Sequence, residues 1–131
     1  MTRLQANLPD VDTQAAQTVT TTSETVVATL SGLSVSGPNL SITAEGNVAL
    51  TAGASTTSVQ LRLRRGTTTG GTLVGQIYQQ PCTASAATIV SGQWLDSPGE
   101  VANQSYVITV QQVGATGNAT VNEANLQAVV P

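Results

Sequence analysis

The sequence is poor in charge, in aromatic residues and in the side chains that most often do chemistry. Charged residues make up 8% of the 131 residues and aromatic residues 2%, and histidine, lysine and phenylalanine are absent. Without histidine the chain lacks the usual general base and the commonest metal ligand. Its formal net charge is −3, so it has no broad positive field, which disfavours nucleic acid and anionic lipid as partners.

Cysteine and long apolar runs are also scarce. The single cysteine, Cys82, cannot form an internal disulfide and has no histidine to activate it, so we interpret it as a small structural thiol. No run reaches the ~18 apolar residues of a membrane span, and the first residues contain no apolar segment typical of a signal peptide. We therefore expect a protein kept in the cytosol, or one that leaves it by a route other than signal-directed secretion.

Hydrophobic residues make up 40% of the chain. They supply enough apolar surface to offset the conformational entropy that the chain loses on folding, so we predict one folded domain. The apolar residues alternate with a period of two, and Gly, Pro, Asn and Ser separate the segments. This pattern predicts an all-β, antiparallel, jelly-roll-like β-sandwich of about eight strands. The strand-prone segments are 18–21, 24–33, 40–43, 47–51, 58–65, 72–78, 88–95, 105–113 and 119–130, with a hairpin turn or bulge expected at Glu45 and Gly46.

Residues 1–17 do not share the alternating pattern. We predict that they form an N-terminal arm that becomes ordered only when something binds it. The sequence thus divides into an arm, 1–17, and a sandwich domain, 18–131.

Candidates for catalysis are weak. Asp96 and Glu100 flank Ser97-Pro98-Gly99, so they could coordinate Ca²⁺ or act as paired carboxylates in hydrolysis. Turns select acidic residues without any chemistry, which favours a solvated turn. We predict a protein that is not an enzyme, with no catalytic, cofactor-binding or metal-binding residues. Trp94 is interpreted as a core or interface anchor.

Three of the four basic residues lie together in the segment SVQLRLRRG, at Arg62, Arg64 and Arg65. On a strand, Arg62 and Arg64 project from one face, about 7 Å apart. They could protect a sheet from pairing with another sheet. Alternatively, they could bind acidic groups of a partner, either on a larger surface or on a neighbouring copy through Asp96, Glu100 or Glu123.

The chain resembles the small β-sandwich domains of tailed-bacteriophage structural proteins over about four fifths of its length. The segments that carry the resemblance are ETVVATLSGLSV, NVALTAGASTTSVQLRLRRG, TLVG, SPGE and QSYVITVQQVGATGNATVNEANLQAVV. Such proteins include capsid decoration proteins, also called cement proteins, and the heads of virion fibres, several with tumour-necrosis-factor-like or jelly-roll topology. The resemblance implies a homotrimer whose N-terminal segment engages the virion.

From this resemblance we expect a decoration protein that binds the major capsid protein on the outer shell after assembly in the host cytoplasm. The alternative is a receptor- or glycan-binding head of a virion fibre or spike. The short arm favours the first, because a fibre head normally follows a long repetitive shaft. The expected interface residues are Arg3, Leu4, Leu8, Asp10, Asp12, Arg62, Arg64 and Arg65.

Overall fold

The computed structural model describes residues 10–14, 17–19, 23–35, 42–98, 101–114 and 118–129, and these residues form β-strands and the turns between them. None of the described residues forms a helix long and apolar enough to cross a membrane. The strands are β1 (Asp10–Gln14), β2 (Gln17–Val19), β3 (Thr25–Val35), β4 (Ile42–Thr51), β5 (Ser58–Arg65), β6 (Leu73–Pro81), β7 (Ala87–Asp96), β8 (Val101–Val113) and β9 (Ala119–Val129).

The strands form two antiparallel sheets. Sheet A has the order β1-β9-β4-β7, with β2 also paired to β9, and sheet B has the order β3-β8-β5-β6. Nearly every neighbour in either sheet is distant in sequence, as expected where the chain crosses repeatedly between two layers. The prediction of an all-β, antiparallel, jelly-roll-like sandwich is confirmed.

The core lies between the two sheets and is built from alternate residues of the strands. On β5, Val59, Leu61 and Leu63 are fully buried, while Arg62 and Arg64 point to the opposite face and are only partly buried. Strand β8 differs, because its middle residues are buried on both faces, including the outward-facing Thr109. Polar side chains of neighbouring strands cover that outer face, as described below.

The segment around Glu45 and Gly46 is not a turn. Strand β4 runs without interruption from Ile42 to Thr51, and Gly46 pairs directly with Gly92 of β7. A Cβ at Gly46 would lie 3.2 Å from the side chains of both Trp94 and Ile108. The glycine that suggested a turn is therefore a place where the strand passes close to large core side chains.

The predicted arm is also corrected in part. Residues Asp10–Gln14 form β1, which pairs antiparallel with β9 from Ala128 to Ala124, and Gln17 belongs to β2. The segment DVDTQ contains one apolar residue, so no alternating pattern could have revealed it as a strand. Its backbone pairing at the edge of sheet A identifies it instead, and the rest of the predicted arm, residues 1–9, 15 and 16, lies outside the described residues.

Trp94 is a core residue. Its side chain is buried, its indole Nε1 donates a hydrogen bond of 3.0 Å to the carbonyl oxygen of Gln76, and Tyr78 packs edge-on against it with ring centroids 5.4 Å apart. Because Gln76 lies on β6 and Trp94 on β7, these contacts join the two sheets. Cys82 also packs against the core, and burial raises the pKa of its thiol.

Candidate interaction surface

The outer face of sheet B carries a hydrogen-bonded polar network around Arg62 and Arg64. The two arginines share this face, as their spacing predicts, because Leu63 between them points into the core. One Arg62 nitrogen donates to Gln111 at 2.8 Å and another to Gln60 at 2.7 Å. The face is thus polar but tightly bonded within itself.

Glu24, just before β3, is the acidic centre of this network. Arg64 binds it through two hydrogen bonds, Nε to Oε2 at 2.6 Å and Nη2 to Oε1 at 2.9 Å. The Thr109 hydroxyl donates to Oε2 at 2.7 Å, and Arg62 lies 3.9 Å from Oε1. Burial opposes ionisation of Glu24, but the hydrogen bonds from Arg64 and Thr109 outweigh it and lower its pKa.

Arg65 follows Arg64 directly, so its side chain leaves the opposite face of β5 and reaches the end of β7. It makes two hydrogen bonds to Asp96, at 2.8 and 2.6 Å, and the Tyr106 hydroxyl donates to Asp96 Oδ2 at 2.5 Å. Burial again disfavours the charge, yet these bonds lower the pKa of Asp96. Burial and the nearby carboxylate raise the pKa of Tyr106. The cluster bridges the two sheets at one end of the sandwich.

These contacts correct one expectation about the basic strip. Asp96 was one of three acidic residues suggested as partners for an arginine of a neighbouring copy, whereas it binds Arg65 of its own chain. Arg64 likewise has its carboxylate partner, Glu24, within the chain. The arginines therefore stabilise the sandwich itself, and their contact with another protein stays a prediction.

The suggested pairing of Asp96 with Glu100 for calcium or hydrolysis gains no support from this geometry. The Asp96 carboxylate accepts three hydrogen bonds from Arg65 and Tyr106, which leaves little capacity for a metal or a substrate. Glu100 lies outside the described residues. Over the ranges that the structure describes, no three His, Cys, Asp or Glu residues come together as a metal site would require.

The expected interface residues near the N-terminus fall into two groups. Arg3, Leu4 and Leu8 lie outside the described residues. Asp10 and Asp12 lie on β1, opposite Ala128 and Leu126 of β9, so their backbone belongs to the sandwich. Their roles as interface residues stay predictions.

Sequence reasoning missed an exposed apolar surface on β6 and β7. Among the described residues, the large hydrophobic side chains that are exposed are Leu73 (39%), Ile77 (40%), Ile89 (66%) and Leu95 (67%). The signal was present on β7, where the buried Val90 and Trp94 alternate with outward-facing residues that include the apolar Ile89 and Leu95 as well as the polar Ser91 and Gln93. A strand with apolar residues on both faces indicates a second buried surface.

Sheet A also has a shallow groove near this surface. Its volume is about 350 Å³, and its lining residues are Glu45, Gly46, Asn47, Tyr78, Ser91, Gly92 and Gln93. The hydroxyl of Tyr78 donates to the carbonyl oxygen of Gln93 at 2.6 Å. An aromatic ring beside amide, hydroxyl and carboxylate groups can bind a polar ligand such as a sugar.

Comparison with known proteins identifies the fold of the chain but does not assign it to a family. No protein-family model and no curated protein sequence matches the chain. Solved structures do match at low sequence identity. They include the globular domain of zebrafish complement 1qA protein, with a TM-score of 0.55, 9% identity and coverage of 93% of this chain and 95% of that one. Eiger TNF from S. frugiperda has a TM-score of 0.56 and 6% identity, with 94% and 93% covered.

A virus coat protein shares the fold as well. Derived T=1 particles of infectious bursal virus match with a TM-score of 0.57 and 9% identity over 93% of this chain. The match spans only 32% of that longer viral chain. The class defined by the fold is therefore a small β-sandwich of the kind found in TNF-like and C1q-like domains and in viral capsid proteins.

Proposed function

We propose that this chain is a non-enzymatic structural protein of a virus particle: a decoration protein that binds the outer capsid shell of a tailed bacteriophage as a homotrimer. The observation that carries the proposal is the similarity of nearly the whole chain to one domain of a viral coat protein. The resemblance of the sequence to phage decoration proteins supplies the narrower assignment.

The chemistry of the chain supports a structural role. Two partly buried carboxylates, Glu24 and Asp96, are bound by arginines of the same chain, so neither is free for acid-base catalysis. A surface with few charges also loses less hydration free energy when a partner covers it. Both features are expected of a protein that is buried against other subunits.

The mechanism is stabilisation by binding. A protein that contacts several capsid subunits at once favours the assembled shell by mass action, and the three arms of a trimer would add avidity. The major capsid protein is the proposed partner, and the arm residues Arg3, Leu4 and Leu8 are its proposed contacts.

Co-sedimentation with undecorated phage capsids tests this function. We expect the full-length protein to pellet with the capsids and to raise the temperature at which they release DNA. Deletion of residues 2–9, which leaves β1 in place, should weaken binding, whereas Ser31→Arg on the exposed far edge of sheet B should bind as the unmodified protein does. Protein that stays in the supernatant at saturating capsid concentration would reject the decoration role.

A receptor- or glycan-binding head of a virion spike is the second candidate. The groove beside Tyr78, with Glu45 and Asn47 on its wall, is the observation that favours it. This function predicts binding of labelled protein to host cells but not to capsids, and loss of that binding in Asn47→Ala. Capsid binding that is unchanged in Asn47→Ala would favour the decoration role.

A further inference from the structure

Strands β6 and β7 form one edge of the sandwich. Strand β6 is the last strand of sheet B and β7 is at one end of sheet A. Side-chain bonds from Tyr78 and Trp94 link the two strands, but no described strand continues either sheet beyond them. We call the exposed surface of β6 and of residues 87–95 of β7 the uncharged edge.

The uncharged edge has few of the features that normally prevent sheet edges from associating. The sequence contains no charged residue from Gly66 to Leu95, and the proline of β6, Pro81, is at its end. Natural proteins usually protect such edges with lysine, other charges, proline or bulges. One irregularity in the pairing of β5 with β6 is present between Leu61 and Leu63, but the strands remain long.

Exposed apolar side chains lie on both sides of this edge. Leu73 pairs in register with Arg64 and therefore lies on the outer face of sheet B, whereas Ile89 and Leu95 lie on the outer face of sheet A. Beside Ile89 a mainly apolar groove of about 420 Å³ extends over Ala49, Leu50, Ala87, Thr88 and Asn122. A small ligand or single peptide would cover one side of the edge, but a folded subunit could cover both.

The size of the surface suits a protein subunit. A strand of nine residues is ~30 Å long, and two sheets ~10 Å apart with part of each outer face give a width of ~20 Å. The resulting area of ~600 Å² is close to the ~800 Å² that each partner contributes to a stable interface. The edge residues themselves carry no charge, so they offer no ionic complement to nucleic acid, to anionic lipid or to a charged protein surface. Glu45, which pairs with Gln93, borders the edge.

We propose that the uncharged edge is the surface through which copies of this chain pack against one another. A second copy fits because it presents the same uncharged edge, and because charged residues make up only 8% of the whole chain. The inference rests on the homotrimer of the proposed function, and it assigns the contact to β6 and β7 rather than to the arginine strip.

The solution mass of the full-length protein tests this assignment without any capsid. We expect the unmodified protein to elute as a trimer, and Ile89→Arg and Leu95→Arg each to reduce the mass threefold, to that of the 13.3 kDa chain. Because Ile89 and Leu95 are about two-thirds exposed, the variants should keep the circular dichroism spectrum of the fold. Ser31→Arg, at the exposed opposite edge of sheet B, should remain a trimer.

A labelling experiment provides a readout that does not depend on disrupting the assembly. In a Cys82→Ser background, a thiol introduced by Ile89→Cys should react with maleimide at least tenfold more slowly than one introduced by Ser31→Cys. A trimer that survives both arginine substitutions, or equal labelling rates, would overturn the edge assignment alone. A monomer at high protein concentration would overturn it together with the homotrimer, while capsid binding would remain a separate question.

Discussion

At the scale of single residues, the arginines bind carboxylates in distant parts of the chain. Arg64 reaches Glu24 across 40 positions of sequence, and Arg65 reaches Asp96 across 31. Each contact is a paired hydrogen bond between a guanidinium and a carboxylate, which is stronger and more directional than a single ion pair. Within the described residues, these charged side chains thus connect strand ends and sheet faces.

The lowered pKa values of Glu24 and Asp96 predict a loss of stability in acid. A carboxylate whose pKa is lower in the folded than in the unfolded state contributes stability at neutral pH, and this is lost as pH falls through the unfolded value towards the folded one. The ordinary values here are 4.5 and 3.8, so the loss begins below about pH 5. Urea unfolding at pH 7 and pH 3 measures it.

The variant Glu24→Gln, Asp96→Asn isolates this effect. It should be less stable than the unmodified protein at pH 7 and should lose less stability on acidification. Glu45→Gln, at an exposed position of β4, is the matched control for the removal of a carboxylate outside these two clusters. An equal loss in the double variant and the unmodified protein would assign acid sensitivity to other groups.

Charge exchange between Arg64 and Glu24 tests whether the strip serves the fold. Arg64→Glu alone places two carboxylates side by side in a partly buried site, and should lower the free energy of unfolding by ~2 kcal/mol or more. Adding Glu24→Arg restores opposite charges and should recover part of the loss. A double-mutant cycle from urea unfolding gives the coupling energy between the two residues. A coupling energy near zero would show that this pair does not stabilise the fold.

At the scale of elements, glycine controls how closely β7 approaches its neighbours. A Cβ at Gly92 would lie 2.6 Å from Tyr78 and 2.8 Å from Trp94. Gly92→Ala should therefore displace both rings and destabilise the fold by ~1–3 kcal/mol. Gly70→Ala is the control, since its Cβ would meet only Thr68 at 3.6 Å, and it should change stability by less than ~0.5 kcal/mol. Thermal unfolding of both variants checks the difference.

Most of the fold could be predicted from the alternation of apolar and polar residues along each strand. It indicated the buried face of β5 and the shared face of Arg62 and Arg64, because both depend only on a period of two. It could not indicate that Glu24 would bind Arg64 or that Asp96 would bind Arg65, since that depends on which strands become neighbours. It also failed for β1, which pairs with β9 although its segment contains a single apolar residue, and at Gly46, where glycine marks close packing.

At the scale of the whole molecule, Trp94 is one of the side chains that hold the two sheets together. Trp94→Ala would leave a large cavity and would remove the bond to Gln76 of the other sheet, so we expect a loss of ~3–5 kcal/mol in the free energy of unfolding. Guanidinium unfolding followed by circular dichroism measures it. A loss below ~1 kcal/mol would show that the indole is not part of the core.

The position of β9 in sheet A has a consequence for synthesis of the protein. Because β9 lies between β1 and β4, neither of these strands can gain that neighbour until Ala119–Val129 has emerged from the ribosome. Most of sheet A must then assemble late, with the nascent chain exposing the unpaired edge of β4 in the meantime. Non-local pairing of this kind is slow, so we expect the incomplete chain to be prone to aggregation during translation.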